Sequence, residues 1–220
     1  MAFSRTAPRH DITYLRRRPK VGETPAAPPV STGPSLSLSR TPKPAKQAAP
    51  VPRARGRAML SRSAPTVTLD RRQSAIGALV FALVGSGELS AAWELMSGEA
   101  GLVSAATGVR VSPEFGRRPI VQLRDNAIIV GLRHVRRLRR LLLIPGGLDQ
   151  APPSRLIGDL YDGSTVESTH APNKRAVAAL AIYQVDGELV IRLEDAGFAS
   201  AEKAAAAYGF APTWQPPVQR

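Results

Sequence analysis

The sequence predicts an all-β sandwich that ends in a short helix and follows a basic, disordered N-terminal arm. Three observations support this fold class: many short apolar or β-branched segments lie between turn residues, the one clear helical pattern is near the C-terminus, and the first segment is rich in proline. Residues 1–65 hold 11 of the 20 prolines. We therefore predict an arm over residues 1–65, a sandwich over residues 66–212 and a short tail over residues 213–220.

Composition restricts the possible function classes before any motif is considered. The 220 residues include no cysteine, which excludes disulfides, thiolate metal sites and cysteine nucleophiles and is typical of a reducing cytosol. No apolar run approaches the roughly 20 residues that span a bilayer. Arginine and proline occupy the place of a signal peptide's apolar region. The sequence therefore predicts a cytoplasmic protein without a transmembrane segment.

The formal net charge of +13 is concentrated in the arm. Residues 1–65 carry +11, from 13 lysines and arginines against Asp11 and Glu23, and the remainder carries +2. Many prolines and a low apolar content predict that the arm is unstructured. Two interpretations stay open: a solvated tail, or an electrostatic tether to nucleic acid or another anionic surface. The candidate polyanion-binding residues are Arg16, Arg17, Arg18 and Lys20 in the first basic cluster, and Arg53, Arg55 and Arg57 in the second.

The predicted sandwich begins with "TVTLD", whose β-branched alternation is typical of a strand. The apolar run "AIGALVFALVG" fits either a buried strand or a helix, and "ELSAAWELM" follows it. Gly98 and Gly101 predict a turn within "GEAGLVSA". "RVSPEF" and "RPIVQL" are short candidate strands with prolines at their starts or edges. "NAIIVGL" is predicted as a strand because Ile128, Ile129 and Val130 are β-branched.

The second half of the predicted sandwich contains the strongest turn signals. "RRLRRLLLIPG" is compatible with a nucleic-acid-binding helix, but we favour a strand with arginines at a solvated start and "LLLI" buried. "RLIGDLYDGSTVE" predicts strand, turn and strand. Asp186-Gly187 separates two apolar runs and predicts a hairpin turn that needs positive φ at both positions. The final helix has Ser200 as N-cap, Glu202 in its first turn and Gly209 just past its end.

No catalytic or metal-binding motif stands out. His10, His134 and His170 lie in the arm, in a basic surface cluster and in a predicted loop, without the spacing of a zinc site. "DLYDGSTVE" does not match a calcium loop and is better explained as a turn capped by aspartate side chains. Glu194 and Asp195 are adjacent, and neighbouring strand residues point to opposite faces, so they make a poor acid/base pair. The sequence therefore predicts a protein that is not an enzyme.

The segment "AALAIYQVDGELVIRLEDAGFASAEKAAAAYGF" resembles the end of the TerD domain of tellurium-resistance and stress-response proteins. Upstream, "NAIIVGLRHVRRLRRLLLI" and "LVFALVGSGELSAAWELMSGEAGLVS" are similar to earlier strands of that family, so the resemblance covers about residues 66–210. It implies a β-sandwich with a non-enzymatic binding or scaffolding role and with protein partners in a bacterial tellurite-resistance or stress-response assembly. The features that carry it are Tyr183, Gly187-Glu188, "LVIRL", Gly197-Phe198 and Tyr208-Gly209, with Leu189 where the family usually has tryptophan.

The resemblance also implies a calcium site, and there the sequence departs from the family. The acidic D-L-D-A-S run of the family corresponds to Glu88-Leu89-Ser90-Ala91-Ala92, which keeps only Glu88 as an acid. Because calcium takes 6–8 oxygen ligands, several of them carboxylate, we expect no cofactor and a degenerate metal site at Glu88. Calcium binding would need other acids, and the first candidates are Glu99, Glu114, Asp125 and Asp159.

The competing hypothesis is a basic, nucleic-acid-associated protein. In this interpretation the arm is an electrostatic tether, and the arginines within residues 133–140 form a second patch. Binding to random DNA that weakens steeply with salt separates this hypothesis from a TerD-like scaffold.

Overall fold

The main elements of the fold are two six-stranded sheets and one short α-helix. The computed structural model describes residues 51–116, 118–148, 152–172 and 175–215. This arrangement confirms the predicted all-β sandwich with a C-terminal helix. Most of the predicted arm, including Arg16, Arg17, Arg18 and Lys20, lies outside the described residues.

The strands follow one another closely along the chain. In chain order they are β1 (Arg57–Met59), β2 (Thr66–Leu69), β3 (Ala78–Val84), β4 (Glu88–Leu95), β5 (Ala100–Val103), β6 (Glu114–Phe115), β7 (Arg118–Pro119), β8 (Val121–Arg124), β9 (Ala127–Gly131), β10 (Leu138–Gly146), β11 (Ser154–Asp159), β12 (Thr165–His170), β13 (Ala176–Val185) and β14 (Glu188–Phe198). A 3-10 helix spans Leu132–Arg137 between β9 and β10, and the helix α1 spans Ala201–Ala207.

The strand order defines the two layers. Sheet I has the order β2-β14-β13-β10-β4-β5, and sheet II has the order β1-β12-β11-β3-β9-β8. β6 and β7 form a separate small hairpin. Neighbouring strands in the two sheets are antiparallel, except that β1 runs parallel to β12.

Alternating side chains fill the space between the sheets. In β3, Leu79, Phe81 and Leu83 are buried while Ala78 and Val80 are half-buried on the outer face. This period of two explains why "AIGALVFALVG" forms a strand and not a helix. Most of "RRLRRLLLIPG" forms β10, a strand as predicted, and its "LLLI" segment is buried, whereas Arg136 and Arg137 end the 3-10 helix.

The helix α1 packs on the outer face of sheet I. Its buried Ala204 and Ala205 form a second apolar cluster with Leu142, Ile144 and Ala92. The N-cap prediction is confirmed, because the Ser200 hydroxyl accepts a hydrogen bond from the amide of Lys203 at 3.3 Å. Small alanines allow the helix to lie close to the sheet, so α1 covers the central strands of sheet I on their outer face.

The turn predictions give two different outcomes. Asp186 and Gly187 have φ values of 50° and 84°, which confirms the hairpin turn between β13 and β14. Gly101 was expected in a turn but lies inside β5, directly against the indole ring of Trp93. A side chain at Gly101 would collide with that ring, so this glycine is needed for close packing.

The sandwich begins before the predicted boundary at residue 66. Ala54 and Leu60 are 2% and 7% exposed and belong to the main core. Leu60 donates its amide hydrogen to the carbonyl of Glu167 at 2.8 Å, next to the short strand β1. The boundary at residue 65/66 is therefore wrong. The sequence prediction missed this segment because exposed arginines alternate with its buried residues, so that it contains no continuous apolar run.

The predicted tail also contacts the sandwich at its beginning. The amides of Thr213 and Trp214 both donate to the carbonyl of Ala100 at 3.0 Å. The ring of Trp214 lies 5.7 Å from the ring of Trp93 in an edge-to-face arrangement. The end of the described chain therefore packs beside β5 at the edge of sheet I.

Candidate functional sites

A cavity of about 530 Å³ lies beside the start of α1 on the outer face of sheet I, and we call it the Glu88 cavity. Glu88 and Ser90 share this face because they are two residues apart in β4. Glu202, from the first turn of α1, is the second carboxylate that lines it. A hydrogen bond with Ser200 holds the pKa of Glu202 below its usual value, so this carboxylate is ionised at neutral pH.

The Glu88 cavity contains Glu88 and Ser90, the two positions that correspond to the acids of the calcium signature in the resemblance. None of the four acids that could compensate for the lost aspartate, Glu99, Glu114, Asp125 and Asp159, is among its lining residues. Among the described residues, no group of three or more His, Asp or Glu side chains is arranged to hold a metal ion. Two carboxylates with Ser90 and Ser104 form a polar cavity with fewer carboxylates than calcium sites commonly use.

A second cavity, of about 770 Å³, lies beside the β6–β7 hairpin, and we call it the Phe115 groove. The hairpin, the beginning of β3, the strands β8 and β9 and the 3-10 helix all contribute to it. The residues that line it are Gly77, Ala78, Phe115, Gly116, Arg118, Pro119, Gln122, Ile129, Gly131, Arg133 and His134. Positive charge and one aromatic ring therefore meet in this groove, and no acidic residue lines it.

Phe115 and His134 are brought together although they are 19 residues apart in the sequence. Their ring centres are 6.3 Å apart, with 44° between the ring planes. The guanidinium carbon of Arg137 lies 4.4 Å from the centre of the Phe115 ring, which is a cation–π contact. His134 was predicted as a surface residue among arginines, and it is half-buried within the 3-10 helix.

The exposed arginines around the Phe115 groove differ from several other described arginines because they have no acidic side chain as a partner. Within the described ranges, Arg118, Arg133 and Arg136 form no ion pair with an acidic side chain, and all three are exposed. Their charges are therefore available to a bound anion.

The second basic cluster of the predicted arm is partly neutralised. Arg57 donates two hydrogen bonds of 2.7 Å to the carboxylate of Glu167, and this lowers the pKa of Glu167. Arg53 lies 3.6 Å from the carboxylate of Glu188, whereas Arg55 forms no ion pair among the described residues. The sequence could not reveal these partners, because they lie more than 100 residues further along the chain.

The predicted patch within residues 133–140 is divided between two environments. Arg139 and Arg140 both donate to the buried carboxylate of Glu94, at 2.7 and 2.6 Å. Arg140 also donates to the carbonyl of Tyr208 at 2.6 Å and stacks over the ring of Phe210 at 4.2 Å. Arg140 thus holds the end of α1 against sheet I, and within residues 133–140 the arginines without an acidic partner are those of the 3-10 helix.

Ser168, His170 and Asp195 form a cluster that the sequence did not reveal. The Nε2 atom of His170 lies 2.9 Å from the Ser168 hydroxyl, and its Nδ1 atom lies 3.8 Å from the Asp195 carboxylate. His170 was predicted in a loop, but it ends β12 and is buried, because Ser168 and His170 continue the inward-facing side of that strand. Burial lowers the pKa of His170.

The geometry of this cluster does not expose a nucleophile. Ser168 is fully buried, so its hydroxyl is out of reach of a substrate. Glu194 and Asp195 diverge as predicted: Glu194 accepts a hydrogen bond from the Tyr208 hydroxyl at 3.1 Å, whereas Asp195 contacts Arg62 and His170. Burial and the charge of Glu194 raise the pKa of Tyr208 to about 12.

Comparison with known proteins found no matching family model, no matching curated protein and no matching solved structure. Neither helix in the described residues is long and apolar enough to cross a membrane. The resemblance to the TerD family therefore depends on the sequence features alone.

Proposed function

We propose that this protein is a non-enzymatic, TerD-like binding or scaffolding module of a bacterial tellurite-resistance or stress-response system, acting in the cytoplasm with protein partners. The observation that carries the proposal is the unit formed by β13, the Asp186-Gly187 turn, β14 and α1. These elements follow one another in the order expected from the family's ending. Phe198 and Tyr208, which belong to the two glycine–aromatic features of the resemblance, pack edge to face at 6.1 Å.

The Glu88 cavity supports a module that works without bound calcium. Glu88 keeps the position of one family acid, and Ser90 replaces the other on the same face of β4. A scaffold that has lost a metal ligand can still present its surface to partners, because packing of the two sheets and α1 maintains the shape of that surface without the metal.

The test is genetic and biochemical. Deletion of the gene in the native host should increase sensitivity to tellurite, and expression of the full chain should restore resistance. Full-length protein captured from tellurite-treated cells should retain a reproducible set of partners that is absent from a capture with an unrelated β-sandwich. Unchanged sensitivity together with an identical capture in both samples would contradict the proposal.

The charge distribution favours a second candidate function, association with nucleic acid. Residues 110–140 contain nine arginines against Glu114 and Asp125, a balance of +7. Since residues 66–220 carry +2 in total, the rest of that part carries −5. Arg139 and Arg140 are paired with Glu94, but the exposed Arg118, Arg133 and Arg136 keep this stretch basic, and such a charge excess favours binding to a polyanion. Affinity for random-sequence DNA should then fall steeply between 50 and 200 mM salt, and an absence of binding at low salt would remove this candidate.

A further inference from the structure

We infer that the Phe115 groove binds one or two nucleotides of a single-stranded nucleic acid, with a base against Phe115 and His134 and phosphates against Arg118 and Arg133. The inference rests on the proposed association with nucleic acid and deepens it by naming the site and the form of the ligand.

The size and the charge of the groove fit such a ligand. Its volume of about 770 Å³ lies within the range of roughly 300–1,000 Å³ that is common for small-ligand sites. Arg118 and Arg133 line it, no acidic residue is among its lining residues, and neither arginine forms an ion pair within the described residues. A bound phosphate would therefore neutralise charges that the protein itself leaves uncompensated.

The aromatic component distinguishes this groove from a simple basic surface. Phe115 is half-buried, so its ring is held by the sandwich and yet lines the groove. His134 adds a second ring at 6.3 Å, and Arg137 lies against the Phe115 ring at 4.4 Å. Nucleic-acid bases stack on aromatic rings and on guanidinium planes, and this stacking tolerates any base sequence. The groove thus offers a surface for the flat face of a base next to cations for its phosphate.

A single strand suits this arrangement better than a duplex. The faces of bases are covered by stacking in a double helix, and they become accessible when a strand is unpaired. A duplex would use the exposed arginines but not Phe115. The contribution of Phe115 therefore separates the two ligand forms.

The experiment measures binding of full-length protein to labelled dT15 and to a 15-base-pair duplex by fluorescence anisotropy, over a range of salt concentrations. Phe115→Leu should weaken binding of dT15 by roughly 5–150-fold, since stacking of a base contributes about 1–3 kcal/mol. Its salt dependence should stay unchanged, and its duplex affinity should change less than about twofold. Tyr183→Leu, on the outer face of sheet I, is the matched aromatic control and should leave dT15 binding unchanged.

A second variant tests the phosphate contacts without altering buried groups. Arg118→Ala combined with Arg133→Ala removes two exposed cations and should reduce the slope of log affinity against log salt by about 1.4 for a single strand. Arg62→Ala, whose side chain is 89% exposed beside Asp195, is a matched control for the loss of an arginine. Thermal melts of all variants establish that they are folded.

The outcomes separate this inference from the function on which it rests. If the Phe115 and double-arginine variants bind dT15 as tightly as the parent, the groove is refuted while electrostatic binding elsewhere stands. If the parent binds no DNA at low salt, both are refuted. Excess dTMP should fail to displace dT15, because a single nucleotide lacks the phosphates of the neighbouring nucleotides in a strand. Full displacement by dTMP at a matched nucleotide concentration would assign the groove to free nucleotides and overturn the inference.

Discussion

Replacing Leu60 by alanine should lower the free energy of unfolding by about 2–4 kcal/mol, in line with the cost of truncating buried leucines. Leu60 is 7% exposed, packs in the main core and donates its amide hydrogen to Glu167 of β12. Truncation removes apolar area and leaves a void at the edge of sheet II. At about 2–4 °C per kcal/mol for a domain of this size, the melting temperature should fall by about 4–16 °C.

The adjacent residue provides a matched control for this prediction. Met59 lies in β1 but is 49% exposed, so Met59→Ala should change stability by less than about 0.5 kcal/mol. Thermal and urea denaturation of both variants at neutral pH make the comparison. Two truncated proteins, one beginning at residue 51 and one at residue 63, isolate the contribution of the whole segment. Equal melting temperatures for Leu60→Ala and the parent would refute the assignment of this segment to the fold.

Three further perturbations test other parts of the structure. Gly187→Val should cost about 1–3 kcal/mol, purely from backbone strain, because φ is +84° and no atom lies within 4 Å of an added Cβ; a Val variant as stable as Gly187→Asn would contradict this. Burial lowers the pKa of His170 in the folded protein, whereas the unfolded residue titrates near its usual value of about 6.5. As the pH falls below about 6.5, the unfolded chain therefore takes up a proton before the folded protein does. The free energy of unfolding should fall until the pH reaches the lower pKa of the folded protein. His170→Gln should remove that slope between pH 7 and 5, and an identical slope in both proteins would show that another group titrates. Finally, the melting temperature should be the same in calcium and in chelator, and Ser90→Asp should not create a calcium response; a rise of several degrees in calcium for the parent would overturn the first expectation.

Local signals predicted the fold well where neighbouring residues determine the structure. Asp186-Gly187 predicted a hairpin because the turn conformation is a property of those two residues. Ser200 and Gly209 bounded α1 for the same reason. The buried half of β10 was predictable because four consecutive apolar residues need an interior location.

The candidate sites were harder to predict because they depend on contacts between distant residues. Arg57 looked like a free cation, but its partner Glu167 is 110 residues away in the sequence. The Phe115 groove combines the β6–β7 hairpin with the 3-10 helix, and no local pattern indicates that these segments meet. The resemblance indicated Glu88 and Ser90, but it did not indicate the second carboxylate of the Glu88 cavity, Glu202, which lies 114 residues further along the chain.

The first described strands have a consequence for the time course of folding. β1 pairs with β12, and Leu69 in β2 pairs with Leu189 in β14, 120 residues later. At a synthesis rate of roughly 5–20 residues per second, about 6–24 s pass between the synthesis of β2 and the synthesis of its partner strand β14. The strands synthesised first are therefore among the last to pair in the sheets. Such pairing between residues far apart in the sequence slows folding. A chain that lacks β1 and β2 leaves the edges of β12 and β14 open, and open strand edges recruit the edges of other chains.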